Sequence, residues 1–306
     1  MTGSATPSPV NRPAPQPVPQ RKGRATGPDR AVAVRTAGPA WSDRLLALHH
    51  AVRAAVLQSD RGSAGVANAK GDDVKLFDLA ADDAAIAFLE TLAVPLIIDS
   101  EEAGRRRVGS GAPRYRLVLD PVDGSDNWAR GLPLSALSCA VLPPDAPLHP
   151  DRVEAAIVGP FDRDPPLVAR KGSGAWRGAA RLETSAVRRL ADAVISIELN
   201  HFAPPPGLAR MMAAARGIRS YGCASRALAF VACGATDAHV DLRGRLTAES
   251  YLAAARLVIE AGGCVAGIDG APLPDAPDLT VGVSLIAAAN RALCDEILDR
   301  LGDDGG

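Results

Sequence analysis

The stretch LVLDPVDGSDNW, residues 117–128, decides the reading of this chain. Leu117, Val118 and Leu119 predict a strand that delivers Asp120 and Asp123 onto a Pro/Gly turn. Two carboxylates at a strand end favour a divalent cation. Gly124 and Ser125 add backbone N–H groups and a hydroxyl beside the acids, the equipment for holding a phosphate against a metal. The competing reading is an ordinary turn, because Asp, Pro and Gly are what turns are made of.

A chain of 306 residues can bury a sizeable core, as one large domain or two intimately packed halves. Its formal charge of −1 hides an asymmetry: residues 1–40 hold six basic residues against one acidic, which leaves the remainder at −6. A mildly acidic body argues against a nucleic-acid surface and suits a protein that concentrates cations. The five cysteines lie 10 to 84 residues apart with no C-x-x-C pair, so neither a zinc knuckle nor a disulfide framework is indicated. They read as small buried apolar residues in a reducing compartment.

Residues 1–40 contain eight prolines and no apolar period, which predicts a disordered tail. The tail lacks the apolar core of a secretory signal, and no later segment offers the roughly 18 uninterrupted apolar residues of a membrane span. The expectation is a cytoplasmic protein with no membrane partner.

Apolar residues recur at helical spacing over residues 41–59, with Ser42 as a candidate cap, and again over residues 78–92. Residues 96–98 form a short strand followed by the acids Asp99, Glu101 and Glu102, and residues 115–119 and 136–142 form the next two strands. Two consecutive strands thus end in acids. The second half, taken as residues 151–306, opens with paired strands over residues 155–158 and 166–169 and a tight turn at residues 172–176. Further strands are expected at 194–198 and 238–242, and helices at 208–215, 225–233 and 247–261. Several strands follow one another without a helix between them. A layered α/β/α/β sandwich with mixed sheets therefore fits better than a purely parallel sheet, its N-terminal half at residues 41–150.

Asp78 and Glu101 make the opening motif specific. A metal-assisted phosphate monoester hydrolase needs acidic ligands, a hydroxyl to orient water and N–H groups for the phosphate, and these occur here in order. The segments KGDDVKLFD (70–78), SEE (100–102), DPVDGS (120–125), KGSGA (171–175) and EAGG (260–263) together resemble the inositol monophosphatase superfamily of magnesium-dependent, lithium-sensitive phosphatases. Lys75 before Asp78, and VDLRGRL at 240–246, look closest to the archaeal-type inositol monophosphatase/fructose-1,6-bisphosphatase branch.

The resemblance implies Mg²⁺-dependent hydrolysis of a small sugar or inositol phosphate ester by metal-activated water, in a homodimer. It places one metal on Glu101, Asp120 and the Val122 carbonyl, a second on Asp120, Asp123 and an aspartate at the start of the last long helix, and a third on Asp78 and Glu101. Ser125 stands for the threonine that helps activate water, and Gly124 and Ser125 would face the phosphate oxygens. Asp241 sits where an acid often binds substrate hydroxyls, and Ala224 where the substrate ring rests.

One departure matters as much as the match. Counting back ten residues from Glu260, the family's Trp-Asp pair should stand at 249 and 250, where this chain has Glu249 and Ser250. Successive helical residues point about 100° apart, so Glu249 cannot take the place of Ser250 without a register shift in the first turn. Several readings stay open: Glu249 shifts in from a deformable helix start capped by Thr247, Ser250 or a water serves as a poor neutral substitute, Ser250 simply supports the helix start, or the chain is a catalytically impaired homologue that binds phosphate esters.

The remaining signals have plainer readings. His49 and His50 are expected on the surface of the first helix, and no histidine has a nucleophile elbow beside it. Arg105, Arg106 and Arg107 read as a solvated turn that could also steer an anionic substrate, and Trp128 as a packing residue.

Overall fold

The computed structural model describes residues 40–67 and 73–302. Residues 1–39 of the expected tail, and Lys70, Gly71 and Asp72, lie outside the described residues. Seven helices occur among those described: α1 (Trp41–Gln58), α2 (Leu76–Thr91), α3 (Ser125–Ala129), α4 (Pro206–Ala214), α5 (Ala224–Ala232), α6 (Ala248–Glu260) and α7 (Arg291–Gly302).

An eight-stranded sheet runs in the order Ala180–Arg181, Gly174–Arg177, Leu167–Arg170, Ala155–Pro160, Ala136–Leu142, Tyr115–Asp123, Leu96–Ser100, Gly104–Val108. Leu96–Ser100 and Tyr115–Asp123 pair in parallel, and every other neighbour in this sheet is antiparallel. A five-stranded sheet follows the order Gly217–Arg219, Val194–Ile197, Ala238–Leu246, Val283–Ala288, Cys264–Ala266, parallel across its first three strands and antiparallel after them. Both sheets are therefore mixed or carry both senses of pairing, as the strand succession implied. Sheet membership changes between Arg181 and Val194, because the strands at 155–181 extend the sheet begun by the N-terminal half.

Strand alternation builds the layers. On Tyr115–Asp123, Leu117 and Leu119 pack with Leu45, Leu48 and Val52 of α1 and Phe77, Ala81 and Leu89 of α2. Val118 turns the other way, onto a core that holds Leu228 and Val231 of α5, most of the apolar residues of α6, and Leu285 and Ala287 of the second sheet. Ile195, Ile197, Val240 and Ile286 face Leu208 and Met211 of α4 and Leu293 and Ile297 of α7. The layered arrangement thus gains an outer helical layer, α4 and α7, beyond the four expected. α6 is a central plank between the sheets, which is why its alanines are buried on nearly every side. Among the described residues no helix is long and apolar enough to cross a membrane.

Three local expectations need correction. Ser42 lies inside α1, whose cap position is Ala40. His49 is buried: its Nε2 bonds the Pro160 carbonyl oxygen at 2.9 Å and its ring lies where a Cβ at Gly159 would stand, so only glycine fits that strand position. Residues 105–107 form an edge strand rather than a turn, and Arg105 donates to Asp99 at 2.6 Å, with Arg116 donating to the same carboxylate at 2.5 Å. Charged residues on an edge strand block further strand addition. The strand Val283–Ala288 and helix α7 had no counterpart in the sequence reading.

Candidate active site

The strand carrying the opening motif does not stop at Leu119 but runs on to Asp123. In a regular strand residues three apart face opposite sides. The pairing with Ala136–Leu142 loses register between Asp120 and Asp123, and Pro121 falls in this break, where no ladder N–H is needed. The irregularity lets both carboxylates reach one cleft. Gly124 follows with φ +79°, and a Cβ there would stand 2.8 Å from the Leu134 carbonyl oxygen and 2.9 Å from the Cys223 Cβ, so the turn into α3 requires glycine.

Each acid is held by the main chain. Asp120 Oδ1 accepts the Val122 N–H at 3.0 Å. Asp123 Oδ2 accepts the Ser225 N–H at 2.6 Å and the Cys223 thiol at 3.0 Å. Asp78, on the first turn of α2, accepts the Lys75 N–H at 3.0 Å. Glu101 follows the neighbouring strand, and its own N–H donates to the Leu119 carbonyl at 3.1 Å. Burial raises the Asp78 carboxyl to about 7, with Glu101 adding to the rise and Lys75 opposing it. Burial likewise raises Asp123, against the bonds from Ser225 and Cys223.

Asp78, Glu101, Asp120, Val122, Asp123, Gly124, Ser125 and Ser250 line one cleft of about 380 Å³. An adjoining space of about 450 Å³ shares Asp123, Asn200, His201, Gly222 and Ser250 and adds Glu198, Ala224, Arg243 and Arg245. Asn127 Nδ2 donates to the Tyr221 carbonyl at 2.7 Å, tying α3 to the loop between the two spaces, while Trp128 packs edge-on to Phe161.

Helix α6 keeps its register. Ser250 faces the acids, its hydroxyl donating to Asp120 Oδ2 at 3.4 Å. Glu249 lines a different cavity, with Asp99, Arg105 and Thr280, and Thr247 donates to its Oε1 at 2.5 Å instead of capping the helix. Ser138 pins the start of α6 by donating to the Glu249 carbonyl at 2.7 Å. The register shift left open by the sequence is therefore not what the structure adopts.

Asp241 does not reach the cleft. It is fully buried, and Arg243 holds both its oxygens, with Nη2 at 2.7 Å from Oδ2 and Nε at 3.0 Å from Oδ1. Arg243 is the group that faces the adjoining space in its place, with Glu198 4.0 Å away. Glu198, like Glu101, directly follows a strand, and that repeated strand-end acid is the signal that could have singled it out. Arg243 and Arg245 carried no comparable signal beyond their place in the VDLRGRL segment.

Among the described residues no three acid, histidine or cysteine side chains close into a cage. The carboxylates and the Ser125 and Ser250 hydroxyls in the cleft are nevertheless hard oxygen donors, and burial raises the carboxyls of Asp78 and Asp123, a cost that a cation relieves. The set fits a hard divalent ion.

A profile of the inositol monophosphatase family matches residues 43–302. The chain belongs to the inositol monophosphatase family. The fructose-1,6-bisphosphatase/inositol-1-monophosphatase of Methanothermobacter thermautotrophicus is 31% identical over 265 residues, 83% of this chain and 92% of that protein. Inositol monophosphatase 1 of Sus scrofa is 27% identical over 207 residues, 65% of this chain and 69% of that protein. Among solved structures, an inositol monophosphatase from Thermotoga maritima superimposes with a TM-score of 0.71 at 23% identity, over 86% of this chain and 97% of the other. Within the inositol monophosphatase family the chain lies with the archaeal-type branch, and it is a hydrolase of the phosphatase class.

Proposed function

We propose that this member of the inositol monophosphatase family is a Mg²⁺-dependent phosphatase of a small sugar or inositol phosphate monoester. The observation that carries the reading is the single cleft lined by Asp78, Glu101, Asp120 and Asp123 from α2 and two neighbouring strands, with Ser250 facing them from α6.

Glu101, Asp120 and the Val122 carbonyl would hold one ion, Asp120 and Asp123 a second, and Asp78 with Glu101 a third. Bound there, divalent ions supply an acidified water and neutralise charge on phosphate and leaving oxygen. The chain's own part is positioning. Cys223 and the Ser225 N–H occupy Asp123 Oδ2, which would leave Oδ1 to a cation. Asp78 Oδ2 is taken by Lys75, so Oδ1 and the Ser125 hydroxyl orient the attacking water. Gly124 and Ser125 offer N–H groups to the phosphate oxygens. The ester's organic group extends over Gly222 and Ala224 toward Arg243 and Glu198. Ser250 would offer a second ion a neutral oxygen in place of a charged one, which would weaken its hold without removing the other donors.

The test is release of phosphate from inositol 1-phosphate, fructose 1,6-bisphosphate and 3′-phosphoadenosine 5′-phosphate with and without Mg²⁺. Metal-dependent turnover of at least one is expected. Tight ester binding by calorimetry with no turnover of any would overturn the reading in favour of a non-catalytic phosphate-ester binder. A cytoplasmic homodimer is part of the proposal, and light scattering of the purified chain checks the dimer.

A further inference from the structure

The apolar face of the strand Leu96–Ser100 ends in a polar residue. Leu96 and Ile98 pack with Phe77, Ala81, Ala85 and Leu89 of α2. Alternation puts Ser100 on that same face, where it is 1% exposed and its hydroxyl donates to Asp82 Oδ1. Asp82 stands one turn beyond Asp78 on α2, and both are 4% exposed. Asp78 lines the acid cleft; Asp82 lies behind it and does not.

Packing alone does not call for a carboxyl at this depth. Burial raises the Asp82 carboxyl, opposed by the bond from Ser100 and the charge of Arg106. A buried acid costs stability that an apolar side chain of similar volume would not. What the pair supplies is a cross-link between two elements that each present a cleft acid: Glu101 directly follows Ser100, and Asp78 lies one turn before Asp82. Those two acids repel, and Glu101 is one cause of the raised Asp78 carboxyl. Without a cation that repulsion pushes the start of α2 away from the end of the strand. The Glu101 N–H bond to Leu119 ties the strand end to its neighbour in the sheet, and the Lys75 N–H bond to Asp78 ties the helix start to itself. The Ser100–Asp82 bond runs from strand to helix, directly behind the two acids.

We infer that Asp82 and Ser100 are positioning residues that hold Asp78 and Glu101 at the separation at which the two can share a divalent cation. The inference rests on the proposed reading in which these two acids hold an ion together. Asp82 and Ser100 act through the acid on their own element, and their part is rigidity set by the chain before any ion arrives.

Calorimetric titration of the full-length chain with Mg²⁺, without substrate and well below each variant's melting temperature, tests it. Wild type is expected to bind, and S100A, which deletes one hydroxyl, to bind roughly tenfold more weakly. D82A should match S100A, and the double variant should be no weaker than either single one, since the same bond is lost in all three. D82N keeps an oxygen that accepts from Ser100 and should stay within about twofold of wild type. I98V thins the same strand face two residues back; it should lower the melting temperature and leave Mg²⁺ binding within about twofold. S100A alone decides the matter if D82A folds poorly. A lower melting temperature in S100A with unchanged Mg²⁺ binding, or an I98V variant weakened as much as S100A, overturns the inference and leaves the phosphatase reading standing. A wild type that binds no Mg²⁺ overturns both the inference and the reading beneath it.

Discussion

The hydroxyl of Ser250 lies 3.4 Å from Asp120 Oδ2, so the helix that seals the acid cleft reaches it with a neutral donor. Ser250→Asp should act in opposite directions with and without metal. In EDTA the added carboxylate faces Asp120 and lowers the melting temperature. In Mg²⁺ it adds a charged oxygen ligand, and the concentration for half-maximal activity should fall roughly tenfold. Paired thermal melts and Mg²⁺ titrations check it, and a variant that melts lower in both conditions counts against a cation at this position.

Cys223 acts on Asp123 at close range, its thiol 3.0 Å from Oδ2. Cys223→Ser keeps a donor and should keep the Mg²⁺ requirement within about twofold, whereas Cys223→Ala leaves Asp123 Oδ2 to the Ser225 N–H alone and should weaken Mg²⁺ binding by roughly tenfold. Calorimetric Mg²⁺ titration of the two variants separates loss of a donor from loss of packing.

Two buried groups oppose each other between pH 4 and 7. Asp78 is raised from 3.8 to about 7 by burial, so the folded chain holds a proton that the unfolded chain releases, and this contribution to stability is lost as pH rises through that window. His239 is lowered from 6.5 to about 4 by burial, so the unfolded chain takes up a proton first, and stability is lost as pH falls from 6.5. The second effect amounts to about 3 kcal/mol at its acid end. Metal-free His239→Asn should therefore lose less stability than wild type on going from pH 6.5 to 4.5, and metal-free Asp78→Asn less on going from 4.5 to 7. Urea melts at three pH values measure both, and a pH dependence unchanged by either variant contradicts the assignment.

Glu260 clasps the turn at residues 171–173. Its oxygens accept the Gly172 and Gly174 N–H groups at 2.6 and 2.7 Å, and it also pairs with the buried Arg256. Glu260→Ala leaves that guanidinium without this carboxylate in a site only 5% exposed, and a loss of about 2–4 kcal/mol is expected in urea unfolding. Turnover at low temperature should be unchanged, since neither Glu260 nor Arg256 lines the acid cleft.

The acids that line the cleft were legible in the sequence because they are set locally, after two successive strands and beside a Gly turn. The clasp also left a trace, as the two segments KGSGA and EAGG that turn out to bind each other. Asp241 misled because its neighbour two residues on, Arg243, folds back to hold it, and a sequence position does not say which of two such residues faces out. His49 looked like a surface residue because its partner, Pro160, is more than a hundred residues distant. The arginines at 105–107 lacked the apolar alternation of a strand, because an edge strand is defined by the neighbour it has on one side only. The last strand and helix depend on packing that no spacing rule reports.

The position of α6 has a consequence for how the chain is made. The eight strands of the first sheet have all left the ribosome by Arg181, but the helix that covers one of their faces is complete only at Glu260. Until then a wide apolar surface of Val118, Ala140, Leu142 and Val158 is covered only in part, by α5. Synthesis therefore passes through an interval in which the nascent sheet is open to aggregation, and holdase chaperones have their natural target in that window.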